Sequence, residues 1–490
     1  MLSEILRRAH GYEKTFGDAI PAEGRPVYHL SPRVGWMNDP NGFSFHGGQY
    51  HLFYQYHPYS TQWGPMHWGH AVSRDLLRWE YLPAAMGPDM PYDKDGCFSG
   101  SATQLPDGRH LLMYTGVTSQ TGKDGVKEVF QTQCLAVGDG LHYEKYEGNP
   151  VLDGKDLPAG FSARDFRDPK IFPKAGGGFG CVVGNRTDDG SGAVLLFESE
   201  DGFRWHFVSV LDRSRNELGR MWECPDLFRL GDYDVIVTSP QEMRPQGLEF
   251  HNGNNTMAMI GKVQEGSFHR EWVQAIDYGL DFYAPQTMKA PDGRRILIGW
   301  MQNWETVSAC PEDAKWFGQM TVPRELCIRD SRLVQNPVRE LETLRCRPVT
   351  YQDVPVQGEI SLPGVSGRVI DLTVTVKAEG DCDWFRIQFA RDSNHHCALT
   401  YDRRESTLHM SRIHAGFNRD MLHERKCPVD DRGGEIKLRI LLDRFSAEVF
   451  VNDGRQAMTM TFPTALSAAD IRFACGGRAR IWVEKYDLMT

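Results

Sequence analysis

Three carboxylates open look-alike stretches of the chain: Asp39 in "NDPNGF", Asp168 in "RDPKIF" and Glu223 in "ECPDLF". Like charges crowded into one desolvated pocket cannot all ionise at their free pKa values, so one of such a group is expected to hold a proton near neutral pH. A proton donor facing an ionised carboxylate is the equipment for cleaving a glycosidic bond. Each residue also has a plainer use. In "GWMNDPNGF", Gly35 to Phe43, the Asp-Pro-Asn-Gly run is good turn chemistry, because Pro fixes φ, Asn and Asp bond their own backbone and Gly accepts φ > 0.

The elements that carry these residues favour the chemical use. The stretches "NDPNGFSFHGGQYHLFYQ", "FSGSATQLPDGRHLLMYTG", "RDPKIFPKAGGGFGCVVGN", "ECPDLFRLGDYDVIVTSP" and "YAPQTMKAPDGRRILIGW" share a pattern of β-like run, Gly turn and second β-like run. Their opening positions, near Asp39, Ser99, Asp168, Glu223 and Tyr283, are separated by 60, 69, 55 and 60 residues. A second element recurs between them as "AVSRDLLRWEYL", "LAVGDGLHYEKY", "LFESEDGFRWHFV" and, less clearly, "IGKVQEGSFHREW", with Trp79, Tyr143 and Trp205 spaced by 64 and 62 residues. About four strands per repeat is the content of one β-propeller blade, and five repeats predict five blades. Innermost strands line a propeller's axis, so equivalent positions meet at one end of the channel. Asp39, Asp168 and Glu223 would then face one another across a funnel. Trp36, Trp63, Trp68, Phe98, Trp222, Tyr283 and Trp300 lie in or near the same openings and could offer faces to a sugar ring, although each singly reads as a core aromatic.

A chain of 490 residues is long for one core, so two domains are expected. The C-terminal part alternates polar and apolar residues, as in "RVIDLTVTVKAEG" and "EIKLRILLDRFSAEVFVNDG", which predicts a β-sandwich without a catalytic cluster. The expected boundaries are a helical lead-in over 1–27, an all-β five-bladed propeller over 28–340, a linker over 341–357 and the sandwich over 358–490. A net charge of −10 without a basic block argues against nucleic acid. No apolar run is long enough to span a bilayer. The start, "MLSEILRRAHGYEKTF", lacks the apolar core of a secretory signal. Eleven scattered cysteines without a CxxC pair read as reduced thiols in a cytoplasm. His67 and His70 in "HWGH" have no third ligand at a matching spacing, so they read as structural and no metal is expected.

At these residues the sequence resembles glycoside hydrolase family 32, the invertases, fructanases and sucrose-6-phosphate hydrolases. "WMNDPNG", "FSGS", "RDP" and "ECPD" resemble the family's ordered signatures, "FYQ" at Phe53 to Gln55 also matches, and "DRFSAEVFVNDG" resembles the signature of its C-terminal sandwich. The resemblance implies that Asp39 is the nucleophile, Glu223 the acid and later base, and that Asp168 grips the fructose hydroxyls with Arg167 beside it. It implies Asn38, Gln55, Trp63, Phe98 and Ser99 as pocket residues, Cys224 against the acid, and no metal or organic cofactor. Tyr283 and Trp300 are further candidates for contact with the sugar. The expected partner is a small sugar: sucrose, sucrose 6-phosphate or a short fructo-oligosaccharide. Arg244 or His251 could meet a phosphate. A fructosyltransferase and a sugar-binding propeller without catalysis are the alternatives, and a sandwich edge could pair two copies into a homodimer.

Overall fold

The computed structural model describes residues 2–122, 125–431 and 433–489. Five antiparallel sheets follow one another along the chain and form the blades of a propeller. Their innermost strands are Gly35–His46, Gly96–Gln104, Arg167–Pro173, Met221–Leu230 and Tyr283–Lys289. In every blade the second strand returns as a hairpin, and two further strands complete the sheet outward. The fifth blade takes its outer pair, Arg324–Arg329 and Arg332–Pro337, after a long excursion. That excursion also supplies Trp316–Phe317, which pairs in parallel with Gly35 and Trp36 and ties the last blade to the first. Separate apolar clusters glue neighbouring blades, such as Leu111, Met113, Ile171 and Val183 between the second and third.

The Asp-Pro-Asn-Gly run is not a turn. It lies inside the strand Gly35–His46, whose pairing with Gln49–His57 shifts register between Met37 and Pro40 and again between Asn41 and Ser44. Residues with turn chemistry are used here to bulge a strand, which re-aims a side chain without ending the ladder.

The helix Glu4–Tyr12, capped by Ser3 accepting from the Leu6 N–H at 3.2 Å, buries Leu6 and Ala9. It leans on the first blade, where a ring nitrogen of His10 meets the Ala84 carbonyl at 2.9 Å.

The C-terminal sheet folds into a sandwich because two long strands serve both layers. Asp470–Leu488 pairs through its first half with Trp384–Arg391 and through its second with Ile370–Ala378, and Arg345–Ile360 follows it along its length. Most of the stretch expected as a linker, 341–357, therefore belongs to a strand of the sandwich. The inner faces meet through Phe385, Ile387 and Leu399 on one layer and Val374, Leu438 and Val449 on the other.

The sandwich is bound to the propeller by apolar contacts, with Leu441 and Phe450 in one cluster with Leu30 and Val322, and by a set of buried charged groups. The edge strand Gln456–Thr461 accepts backbone bonds from the propeller, the Tyr278 N–H on the Ala457 carbonyl and the Leu280 and Asp281 N–H groups on the Thr459 carbonyl. Arg324 bonds Glu448 at 2.5 Å and Asp277 at 3.0 Å, Arg412 bonds Asp281 at 2.5 Å, and His29 lies between Asp443 and Glu448 at 2.9 Å each, with all these side chains fully buried. Burial alone would push His29 down, but the two carboxylates raise it to about 9, so it carries a charge at neutral pH.

Candidate active site

The register shift seen in the first blade recurs at the same place in all five innermost strands. Two rings of side chains result. The upper ring is Asn38, Phe98, Arg167, Glu223 and Tyr283; the lower is Asp39, Ser99, Asp168, Cys224 and Ala284. A proline follows the lower-ring residue in four blades, and Gly100 takes that place in the second, where its N–H donates to Asn41 Oδ1 at 2.9 Å. Proline could not make that bond. Asp168, Cys224 and Ala284 sit at φ of +65°, +48° and +48°, a left-handed backbone rare outside glycine and typical of strain held at a site. Glu223 is thus one position above Asp39 and Asp168 rather than in line with them.

Asn38, Asp39, Gln55, Trp63, Phe98, Ser99, Arg167, Asp168 and Glu223 all line one pocket of about 510 Å³. Asp39 is aimed by three donors: Ser99 Oγ at 2.6 Å, Asn38 Nδ2 at 3.0 Å and Cys224 Sγ at 3.5 Å. Asn38 is fixed in turn by the Trp36 indole at 2.7 Å. Asp168 accepts the Cys224 N–H at 3.0 Å. Glu223 accepts from Arg167 at 2.9 and 3.1 Å on one oxygen, and from Gln241 at 2.8 Å and the Tyr283 hydroxyl at 2.7 Å on the other.

Burial pushes Asp168 up to about 7, with the Arg167 charge working against the shift and Glu223 and Asp39 adding to it. Asp39 is raised too, by burial and by Glu223, and lowered by its bond from Ser99. Burial and the surrounding carboxylates push the Cys224 thiol well up, which keeps it an S–H donor. A site with one weakly acidic carboxyl beside two more, one cation among them and open on one side, can exchange a proton with a bound molecule and attack it from a carboxylate oxygen.

Three expected residues stand elsewhere. Trp300 is fully buried and packs edge-on against Trp304, with Trp36 beside it, so it braces the pocket wall from behind and is not part of the lining. Tyr283 is also buried and reaches the site only through its hydroxyl on Glu223. Cys224 lies beneath the pocket floor. Neither residue named for a phosphate stands in the pocket lining: Arg244 is exposed, while His251 is lowered to about 4 by burial and by Arg425 and is therefore uncharged. Of the histidine pair, His67 bonds the Pro65 carbonyl and His70 stacks on Phe53 and bonds His51.

Sequence reading missed Val129, Gln131, Arg164, Gln241, Asn254 and Trp304 in the lining. They come from second and third strands, from loops and, for Trp304, from the 3-10 helix Trp304–Ala309, none of which carries a repeated signature. Arg164 is exposed at the rim and paired with Glu128.

Comparison with known proteins gives one answer at each level. The model for the glycosyl hydrolases family 32 N-terminal domain matches residues 29–337, and that for the family 32 C-terminal domain matches residues 340–488. A sucrose-6-phosphate hydrolase of Zymomonas mobilis is 38% identical over 467 residues, covering 92% of this chain and 88% of its own. A raffinose invertase of Escherichia coli is 38% identical over 463 residues, covering 93% of each. Among solved structures, a Bombyx mori GH32 beta-fructofuranosidase superposes with a TM-score of 0.84 at 34% identity, over 99% of this chain and 98% of that one. A mutant of the same enzyme in complex with sucrose gives 0.84 at 33% identity, over 100% and 99%.

Proposed function

The chain belongs to glycosyl hydrolase family 32, and on that premise we propose that it is a retaining beta-fructofuranosidase. It removes the terminal β-D-fructofuranosyl unit of sucrose, sucrose 6-phosphate or both. The observation that carries this reading is the pocket in which carboxylates of the first, third and fourth blades are held toward one space by separate sets of donors. The sucrose bound to the Bombyx mori relative and the names of the Zymomonas and Escherichia relatives support the substrate class.

In the mechanism, an Asp39 oxygen attacks the anomeric carbon as the bond from that carbon to the leaving oxygen breaks. The leaving oxygen takes a proton from Glu223, which accepts hydrogen bonds on both oxygens in the free enzyme and must therefore take up that proton as the substrate binds. The product of this step is a fructosyl ester on Asp39. Water then bonds to the same carbon and gives its proton to Glu223, and Asp39 departs as the carboxylate, so configuration is retained. Arg167, which holds Glu223 at 2.9 Å in the free enzyme, must release that oxygen for the leaving group to reach it. Asp168 takes the fructose hydroxyls, and a grip that tightens as positive charge develops on the sugar lowers the barrier.

All eleven cysteines are free thiols, which suits a reducing compartment, and we place the activity in the cytoplasm. Any pairing of two copies would use a free edge of the sandwich, Glu424–Pro428 or Arg345–Ile360, since the edge Gln456–Thr461 is buried.

The test is a time course of glucose, glucose 6-phosphate and fructose release from sucrose and from sucrose 6-phosphate. Wild type should release the two halves of its substrate in equal amounts. Asp39→Asn and Glu223→Gln should each lower kcat by about 10³-fold or more, as loss of members of one catalytic unit does. Turnover near wild type in either variant removes that residue from the mechanism, and release from neither sugar removes the function.

A further inference from the structure

Below the lower ring the channel is plugged. The residues after the proline or glycine, Asn41, Ser101, Lys170, Asp226 and Gln286, bond across the axis: Ser101 Oγ to the Pro169 carbonyl at 2.8 Å, Gln286 Nε2 to the Gly100 carbonyl at 3.0 Å, Lys170 Nζ to Asp226 at 3.2 Å. The gap left among them holds only about 10 Å³. Past this plug the innermost strands run on and open into a second cavity of about 1190 Å³ at the far end of the propeller. Nothing in the proposed reaction uses it.

Its charges do not balance. Five cations line it, Lys170, Lys174, Arg229, Lys289 and Arg295, against the three carboxylates Glu198, Asp226 and Asp234. Each carboxylate is engaged: Glu198 by Lys174 at 2.5 Å, Asp234 by Arg229 at 3.2 Å, and Asp226 by Lys170. The Asp226 oxygen facing Lys170 also accepts from the Thr287 N–H at 2.7 Å and hydroxyl at 2.9 Å. Among the described residues no carboxylate pairs with Lys289 or Arg295. Arg295 Nη1 has the Thr287 hydroxyl at 3.3 Å, and its guanidinium lies 4.6 Å from the centre of the Phe228 ring. Burial lowers both Lys170 and Arg295, and Arg295 lowers Lys170 further. Two cations therefore crowd one carboxylate, in a chain whose net charge is −10.

Arg295 has to share the charge of Asp226 with Lys170, and Lys289 stands directly across the strand pair from it; a planar guanidinium beside an ammonium is the donor set that binds tetrahedral oxyanions. The volume exceeds what a small metabolite fills. We propose that this distal cavity is a binding site for a phosphoryl group, as free phosphate or on a small metabolite, held by Arg295 and Lys289 with Lys170 beneath.

The experiment titrates the full chain with inorganic phosphate and, separately, with glucose 6-phosphate, at ionic strength held constant with sodium chloride, and follows Tm and heats of binding. Either ligand should raise Tm saturably by a few degrees, as binding to the folded state alone requires. A rise with inorganic phosphate identifies the free ion as sufficient; a rise with glucose 6-phosphate alone identifies a phosphorylated metabolite. Lys289→Ala, on an exposed side chain, and Arg295→Gln should each weaken binding about tenfold or more and leave kcat/KM on sucrose within about twofold of wild type. The proposal is overturned if neither ligand exceeds chloride, or if the shift survives unchanged in Lys289→Ala, which would place the anion elsewhere.

Discussion

Asp168 is buried in the pocket with Glu223 and Asp39 as like-charged neighbours. Its folded value of about 7 lies above the ordinary 3.8, so ionising it works against the fold. That cost is full above pH 7 and fades as pH falls toward 3.8. Asp168→Asn, which keeps an acceptor for the Cys224 N–H, should raise stability by about 1–2 kcal/mol at pH 8 and by less at pH 5, while activity is lost. Thermal unfolding at the two pH values, beside a rate assay, checks both halves, and a variant less stable at pH 8 than at pH 5 relative to wild type would contradict the argument. Asp39, Asp168 and Glu223 were legible in the sequence because they recur with the repeat. The offset of one residue between Glu223 and the other two was not, because spacing alone does not say where a bulge falls. Gln241, Asn254 and Trp304 were silent for another reason: each lies outside the repeated signature, and only the folded rings bring them to the pocket. Trp300 was misread because an aromatic near an opening gives no sign of which way it faces.

At the scale of the strand, the shared bulge is the device that turns five ladders into one site. In the second blade Gly100 leaves no room for a side chain, since a Cβ there would lie 2.0 Å from the Met113 carbonyl oxygen. Gly100→Ala should cost about 1–3 kcal/mol and lower kcat as well, because Ser99 beside it fixes Asp39. Equilibrium denaturation with a kinetic assay tests this, and an unchanged kcat would separate the bulge from catalysis. The five hairpins and the sandwich strands were readable from apolar alternation and Gly turns. The strand Arg345–Ile360 was not, and its burial explains why: nearly all of its residues are exposed or half-exposed, so its polarity is that of a linker even though both ends of the sandwich depend on it.

At the scale of the molecule, the propeller and sandwich share one ionic interface. His29 is held at about 9 against an ordinary 6.5, so its contribution to stability is complete below pH 6.5, shrinks between 6.5 and 9, and is gone above. The loss is on the order of 3 kcal/mol. Denaturation midpoints across pH 6 to 10 should fall through this window and fall less in His29→Gln; parallel curves would show that His29 is not the group responsible. Glu448→Ala, which strands Arg324 and His29 without their shared carboxylate, should cost about 3–5 kcal/mol by the same measurement. The strand Trp316–Phe317 that closes the ring onto Gly35 and Trp36 has a consequence for synthesis. A chain leaving the ribosome presents the first blade with one edge unpaired until Phe317 has emerged, which at about 5–20 residues per second is roughly 15–60 s later. His29 waits longer still, for Asp443 and Glu448. During that interval the nascent protein carries an open strand edge, and His29 lacks the two carboxylates that hold it in place, so slowed translation or premature termination between these points should yield aggregates in place of a smaller folded product.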